Sequence, residues 1–589
     1  MSIISMKNRK PNMMKSTYSG VAIVSAIVLV VVTACNPLNK MNKKHGLVKY
    51  TLAPTPLELH NDSVTINVSG RYPEKFFNKK AVATVKPVMK DATTGAVVKE
   101  FDSIKLIGES AEGEGQKISW TGGSFNVTKT VPYTSSMENV ILEVVVEGAY
   151  KTKTKAFEPV EIGKGTVTTP LWVQSDEKAI LGADNFTKTS PRSVSAEINY
   201  AIQTSVVRPE ELRQEDMQAV EAFIQKGIEF EYVYKNVSIT SYASPDGETS
   251  LNDNLAGDRA NSATSAIKGL FSKKKVAAGK EDALYTKSPK GEDWAGFKTK
   301  VQASEIADKD QIIRIVGMYN NDKEREEAIK NLAAVYTELA EKVLPPLRRS
   351  VITINAEEEA KTNEELMELV KSNPSELTIE EILYTATLYN DLNEKLSVYK
   401  TAAQVHAGDW RGHNNVGYIL VMQNKISEAK AEFDKALNAD NTAKVAMNNL
   451  GVVARLMGDK DKAMDYYEKA KGAGKEVNYN IGILNIMGAK YDDAVSNMSG
   501  YNTFNNGLAQ LLNGNTDGAL NTVEASDDKA TAAGYYLKAI IGARTKNMDM
   551  MKNNLKAAVE KDTTLKAKAK KDAEFLEYRT DSGFASIVE

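Results

Sequence analysis

Few residues of this chain have the types and spacing that bond-making chemistry needs. The four histidines, His45, His60, His406 and His413, make no metal-ligand spacing with cysteine or carboxylates. The sequence contains no Gly-Lys-Ser phosphate loop and no Gly-x-Ser-x-Gly nucleophile elbow, and Cys35 is its only thiol. Acid clusters such as Glu357-Glu358-Glu359 read as a solvated helix face rather than an acid-base pair. The expectation is a protein that is not an enzyme and holds no cofactor and no metal. What remains is the chemistry of amides and one guanidinium. Asn415, Asn449, Asn480 and Asn505 each stand two residues before a glycine, with Asn414, Asn448, Tyr479 and Phe504 one residue earlier. An amide can donate and accept together, which suits it to a peptide group. Arg259, with Asn252, Ser244 and Asp246 near it in the chain, offers the planar fork that recognises a carboxylate.

Cys35 closes the apolar run from Val21 to Val31, which follows Lys7, Arg9, Lys10 and Lys15. A basic flank, a short apolar core and small residues before a cut form an export signal over residues 1–35. Val32-Thr33-Ala34-Cys35 resembles the lipobox of bacterial lipoproteins, which implies a covalent lipid on Cys35 and attachment to the outer membrane. The alternative is a signal anchor that is never cleaved, since the run falls a little short of the roughly 18–20 residues that cross a bilayer. No later stretch is apolar and long enough to span one. The tether of residues 36–48 is basic and has no acidic cluster after the cysteine, which favours the periplasmic side over the cell surface. With 75 Lys plus Arg against 77 Asp plus Glu, no net field draws nucleic acid, and none is expected as a partner.

Five further segments follow. Residues 49–185 alternate apolar and polar positions, as in Val64-Thr65-Ile66-Asn67-Val68, between turns such as Trp120-Thr121-Gly122-Gly123, and this predicts a β-sandwich. The sandwich is read as a spacer or as a partner-binding module. Residues 190–356 read as mixed α/β. There Arg208-Pro209-Glu210-Glu211 opens a helix, Val237-Ser238-Ile239-Thr240 is a strand, and Asn252-x-x-Leu255-x-x-x-Arg259-Ala260 follows. This order, with Leu347-Arg348-Arg349-Ser350-Val351 before a last strand, resembles the OmpA C-terminal-like domain. That resemblance implies peptidoglycan binding through Arg259 and Asn252. The family's aspartate position is Ser244 here, with Asp246 two residues on as a possible replacement. A helical insert at about 273–342 carries Trp294, Phe297 and an amphipathic helix around Ile329, Leu332, Val335 and Leu339. Residues 357–376 read as an acidic, helix-prone linker.

Residues 377–563 repeat. Gly417, Gly451, Gly482 and Gly507 each precede by twelve residues an alanine, Ala429, Ala463, Ala494 or Ala519, and Phe433, Tyr467 and Met498 follow four later. The pattern resembles the tetratricopeptide repeat, a helix pair stacked into an all-α solenoid, with about six units and a helical cap over 564–589. In related arrays an asparagine ladder holds a peptide backbone, which implies that Asn415, Asn449, Asn480 and Asn505, with Asn414, Asn448 and Tyr479 beside them, line a peptide site. The alternative is that these amides cap helices or satisfy neighbouring backbone groups. The whole therefore reads as a lipid-anchored scaffold that tethers the outer membrane to peptidoglycan and docks an envelope protein or peptide. A cell-surface structural or adhesin-accessory lipoprotein without wall binding is one alternative, and an assembly factor for secreted or outer-membrane proteins is another.

Overall fold

The computed structural model describes residues 36–245 and 248–589, so Cys35 and Asp246 lie outside the described residues. The chain divides into two compact units, one made by the chain up to Lys178 together with Lys475–Glu589, the other by Ala179–Gly474. No helix among the described residues is long and apolar enough to cross a membrane.

In the first unit, the period-2 pattern produces two packed sheets. Ser63–Tyr72 is flanked by antiparallel Lys49–Ala53 and Leu57–His60 on one edge and by Gly123–Pro132 on the other. Val64, Ile66 and Val68 turn inward and are fully buried, while Thr65 faces out and bonds Thr130 at 2.8 Å. In the opposing sheet Val82–Asp91 pairs antiparallel with Val140–Tyr150 and sends Ala83, Val85 and Met89 into the same core, where they meet Leu142, Val144 and Val146. A short helix, Pro37–Lys43, closes one end of that core with Leu38 and Met41. The sheets end at Val167, and residues 173–187 have no regular secondary structure and belong to neither sheet, although the sequence pattern carries the sandwich to 185. Three helix pairs, Lys475–Met487 with Tyr491–Asn497, Phe504–Leu512 with Thr516–Glu524, and Ala532–Arg544 with Met548–Lys561, and a cap that runs from helix Leu565–Lys571 to helix Ser582–Val588 complete this unit. The sandwich touches them. Glu138 meets Lys568 at 3.3 Å, Asn139 meets Arg579 at 3.3 Å and His60 meets Tyr491 at 3.3 Å.

In the second unit a four-stranded sheet runs in the order Thr189–Asn199, Arg349–Glu359, Val233–Ala243, Tyr285–Glu292, antiparallel except for the last pair. Helices Glu215–Glu229 and Thr249–Lys273 pack Val220, Ile224, Ala263 and Ile267 against Ile239, Ile352 and Ile354. The first of these helices begins at Glu215, later than the Arg-Pro-Glu-Glu signal implies. Glu211 instead turns its carboxylate to the Asn199 N–H at 3.0 Å and to Arg208, in a 3₁₀ turn. Residues 273–342 are not wholly helical, because Tyr285–Glu292 is the edge strand of the sheet. The helices after it, including Asp322–Lys330 and Ala333–Lys342 where one amphipathic helix is expected, share a core built on Trp294, Phe297, Ile329 and Leu339. Glu357 and Glu358 belong to the end of a central strand, where they pair with Lys235 and Arg192. The supposed linker continues as a helix, Asn363–Ser372, fixed by a Thr362/Glu365 capping box. It packs Leu366 and Val370 against the first helix pair, Ile379–Thr387 with Leu392–Val405. Two more pairs follow, Trp410–Met422 with Ile426–Ala439 and Lys444–Leu456 with Lys460–Ala470.

The marker residues explain the pairing. A Cβ on Gly417, Gly451 or Gly482 would lie 2.6, 2.4 or 2.6 Å from Phe433, Tyr467 or Met498 of the second helix. The glycine is the socket for the large side chain. Gly507 obeys the same rule with Val523, at 2.4 Å.

Candidate functional site

The four ladder asparagines lie on the first helix of their pairs and are at most 1% exposed. Two helical residues turn about 200°, so an asparagine two before the socket glycine points away from the second helix, to the inner face of the array. In the first unit, Asn505 accepts the Gln174 N–H at 2.8 Å and donates to the Gln174 carbonyl at 2.9 Å. Asn480 makes the same pair with Lys178, at 2.7 and 2.9 Å. In the second unit, Asn449 holds Ile180 at 2.8 and 2.7 Å, and Asn415 holds Gly182 at 2.7 and 2.9 Å. Each amide thus satisfies both main-chain groups of one residue in an extended segment. Because no side chain of the segment is involved in these bonds, the recognition is of peptide backbone.

The residues one position earlier set the amide rotamers or add contacts. Asn414 donates to Asn415 at 3.0 Å and to the Ile180 carbonyl at 3.1 Å, and Asn448 donates to Asn449 at 3.1 Å. Asn449 in turn donates to Asn414 at 2.9 Å. Tyr479 donates to Asp176 at 2.5 Å, and burial, with the Asp176 carboxylate second, holds its hydroxyl far above the usual phenol range. Phe504 is instead a core residue. Side-chain contacts fix the register. In the first unit Trp172 stacks on Tyr536 at 4.5 Å, and Lys178 lies over the Tyr479 ring at 4.9 Å. In the second, Phe186 stacks on Tyr384 at 4.2 Å, Arg411 donates to the Ala183 carbonyl at 3.1 Å, and Glu380 accepts the Asn185 N–H at 2.6 Å. Hydrogen bonds from Arg411 hold the Glu380 carboxyl below its ordinary range. A Cβ on Gly182 would lie 2.8 Å from Arg411 Cγ and 3.2 Å from Asn415 Oδ1, so the main chain comes as close here as glycine permits.

The asparagines, Tyr479 and their helical face are visible in the sequence as a repeat. Asp176, Glu380, Tyr384, Phe186 and Arg411 are not, because none recurs with the repeat.

The other candidate set lies in the α/β sheet of the second unit. Arg259 is fully buried on helix Thr249–Lys273, and its guanidinium donates to the main-chain carbonyls of Thr204 at 3.0 Å, Tyr242 at 2.8 Å and Ala201 at 3.4 Å. Three donors of the fork that would receive a carboxylate are thus turned to the protein's own backbone. Ser244 accepts from Arg348 Nε at 3.0 Å, and Asn252 donates to the Ser244 carbonyl at 3.2 Å and to Glu292 at 2.7 Å. Burial first, then the neighbouring Glu326 carboxyl, push Glu292 up to about 8. Hydrogen bonds thus link Arg348, Ser244, Asn252 and Glu292 in one chain, with the buried Arg259 beside it on the same helix as Asn252. No group of three or more His, Cys, Asp or Glu side chains suited to a metal ion occurs among the described residues.

Among known proteins, the family model described as tetratricopeptide repeat matches residues 445–473. The chain is similar to a tetratricopeptide repeat protein from Parabacteroides merdae ATCC 43184, with 14% identity over 36% of this chain and 91% of that one and a TM-score of 0.27. It is similar to YrrB, described as a TPR protein with an unusual peptide-binding site, with 18% identity over 35% of this chain and 99% of that one and a TM-score of 0.22. PilF of Pseudomonas aeruginosa is similar at 13% identity, over 38% of this chain and all of that one, with a TM-score of 0.28. No curated protein matches the sequence. The helix pairs and the family match agree that the chain carries tetratricopeptide repeats, which are modules of protein–protein interaction.

Proposed function

We propose that this protein is a lipid-anchored scaffold of the bacterial envelope, without catalytic activity, that docks a protein partner through its repeats while its own segment 174–182 occupies the asparagine ladder. One observation carries the reading: four amides each hold both main-chain groups of one residue of that segment. A tethered segment competes at an effective concentration on the order of millimolar, so a free peptide of micromolar affinity leaves it in place. The partner surface is then the repeat faces away from the ladder. A groove already filled argues against a chaperone that receives many clients there.

The export signal and Cys35 support the lipid anchor and a periplasmic position. The OmpA C-terminal-like reading of residues 190–356 is supported by the four-stranded sheet with two helices on one face and by the Asn252 to Arg259 spacing. Wall tethering is the second reading. It has that motif in its favour, while the enclosure of Arg259 and Ser244 in place of aspartate weigh against it. Crosslinking the full chain in native envelopes should yield one stoichiometric protein partner. Excess synthetic peptide of residues 172–187 should not release it. Release by the peptide would move the partner into the ladder, and absence of any partner would remove the scaffold reading. For the wall, the chain from Asn36 onward should pass through purified sacculi without retention; specific retention would restore the tether.

A further inference from the structure

Immediately after Cys35 the chain builds a cleft of about 800 Å³. Its apolar floor is Met41, 1% exposed, and Phe76, 3% exposed, with Trp120 on one wall. Lys40, Lys43, Lys44 and Lys75 stand around it. The walls are fixed before any ligand arrives. Leu38 and Met41 root helix Pro37–Lys43 in the sandwich core, the Lys75 N–H donates to the Trp120 carbonyl at 2.7 Å, and Glu109 accepts the Trp120 N–H at 2.5 Å. Lys40 lies 6.0 Å from the Trp120 ring centroid, at the limit of a cation–π contact. Among the described residues, of these four lysines only Lys75 has a carboxylate within 4 Å, the exposed Glu74 at 3.5 Å. Four positive charges in a chain whose net charge is −2 are a local field.

The geometry points to a site for the anionic headgroup of a phospholipid, and we propose that this cleft seats one in the membrane that anchors the chain. Three features converge on that ligand. Ammonium groups attract the phosphate, an amphipathic indole suits the headgroup depth of a bilayer, and the apolar floor accepts the first carbons of the glycerol and acyl chains. The first wall residue is Asn36, next to Cys35, so a lipid on Cys35 would hold the cleft against the surface. One acyl chain binds a bilayer only marginally, and a basic patch is the usual second contact. This inference rests on the lipoprotein reading for its location, but its chemistry is tested apart from it.

The chain from Asn36 to Glu589, which contains the whole described fold and no lipid, is mixed with phosphatidylcholine vesicles with and without about 30% phosphatidylglycerol. Cosedimentation should require the anionic lipid and should weaken as salt is raised. Lys40→Glu/Lys43→Glu/Lys44→Glu should lower the association constant by about tenfold or more. Trp120→Leu, which keeps the charge, should lower it less and abolish the change in tryptophan emission on binding. Equal binding to both vesicles, or no loss in the triple variant with an unchanged melting temperature, overturns the proposal. Release by inorganic phosphate at matched ionic strength would make the site one for free phosphate, and would also overturn it. The lipoprotein reading is separated by labelling cells with a fatty acid: loss of label in Cys35→Ala supports the lipid whether or not the cleft binds vesicles.

Discussion

An asparagine facing a peptide group is held by both of its amide atoms, and this makes the ladder sensitive to changes that preserve size. Asn449→Ala leaves the Ile180 N–H without its partner, leaves the Ile180 carbonyl to Asn414 alone, and removes a bond to Asn414. The expected cost is about 2–4 kcal/mol, seen as a lower urea midpoint. Asn449→Asp should cost more than its near-identical shape suggests, since a carboxylate accepts from Ile180 N–H but then faces the Ile180 carbonyl in a buried site. If Asp and Asn behave alike, the bond to the carbonyl contributes nothing. A second residue-scale effect is pH. His45 is 4% exposed, with the tilted rings of Phe157 at 5.1 Å and Tyr50 at 5.8 Å against it, and burial lowers its pKa. The unfolded chain takes up a proton below about pH 6.5 that the folded ring resists, so stability should fall as pH drops below that value. His45→Phe should flatten the fall, as measured by melting temperature between pH 7 and pH 5. An unchanged slope would show that the imidazole is protonated in place.

Helices and strands are the scale at which the sequence was most legible. Alternation in Val64 to Val68 produced the strand it predicts, because one face is buried and the other is not. Small and large residues at fixed offsets revealed the helix pairs, because a glycine socket and a ring must be matched in every unit. Gly451→Ala would set a methyl 2.4 Å from the Tyr467 ring and should cost about 1–3 kcal/mol. Adding Tyr467→Leu should restore part of that loss, and an additive double variant would mean that the two helices do not meet there. The strand Tyr285–Glu292 was missed for the opposite reason. An edge strand needs no apolar alternation, and Thr286, Lys287, Pro289 and Lys290 are exposed, so its sequence reads as a turn or helix start. The acids at Glu357 and Glu358 misled in the same way, since their partners, Lys235 and Arg192, lie far off in the sequence.

At the scale of the whole chain, the asparagine ladder could be found from sequence but its occupant could not. Segment 173–187 has no period and no repeat, and the asparagines that hold it are more than 230 residues away, as with Gly182 and Asn415. Backbone recognition leaves no imprint on the side chains of the peptide recognised, apart from Gly182, where the main chain passes too close for a Cβ. The same blindness affects Arg259: its type and spacing suggest a ligand site, but only the fold reveals the three carbonyls around it. In the fold the ladder asparagines hold the chain's own segment, and Arg259 holds the chain's own carbonyls. Hydrogen exchange of the full chain, read by mass spectrometry on peptides covering residues 172–187, tests this most directly. Slow exchange is expected at Gln174, Lys178, Ile180 and Gly182 in the wild type, and fast exchange at Ile180 and Gly182 in Asn449→Ala/Asn415→Ala. Exchange of that segment at the rate of an unstructured peptide in the wild type would contradict it.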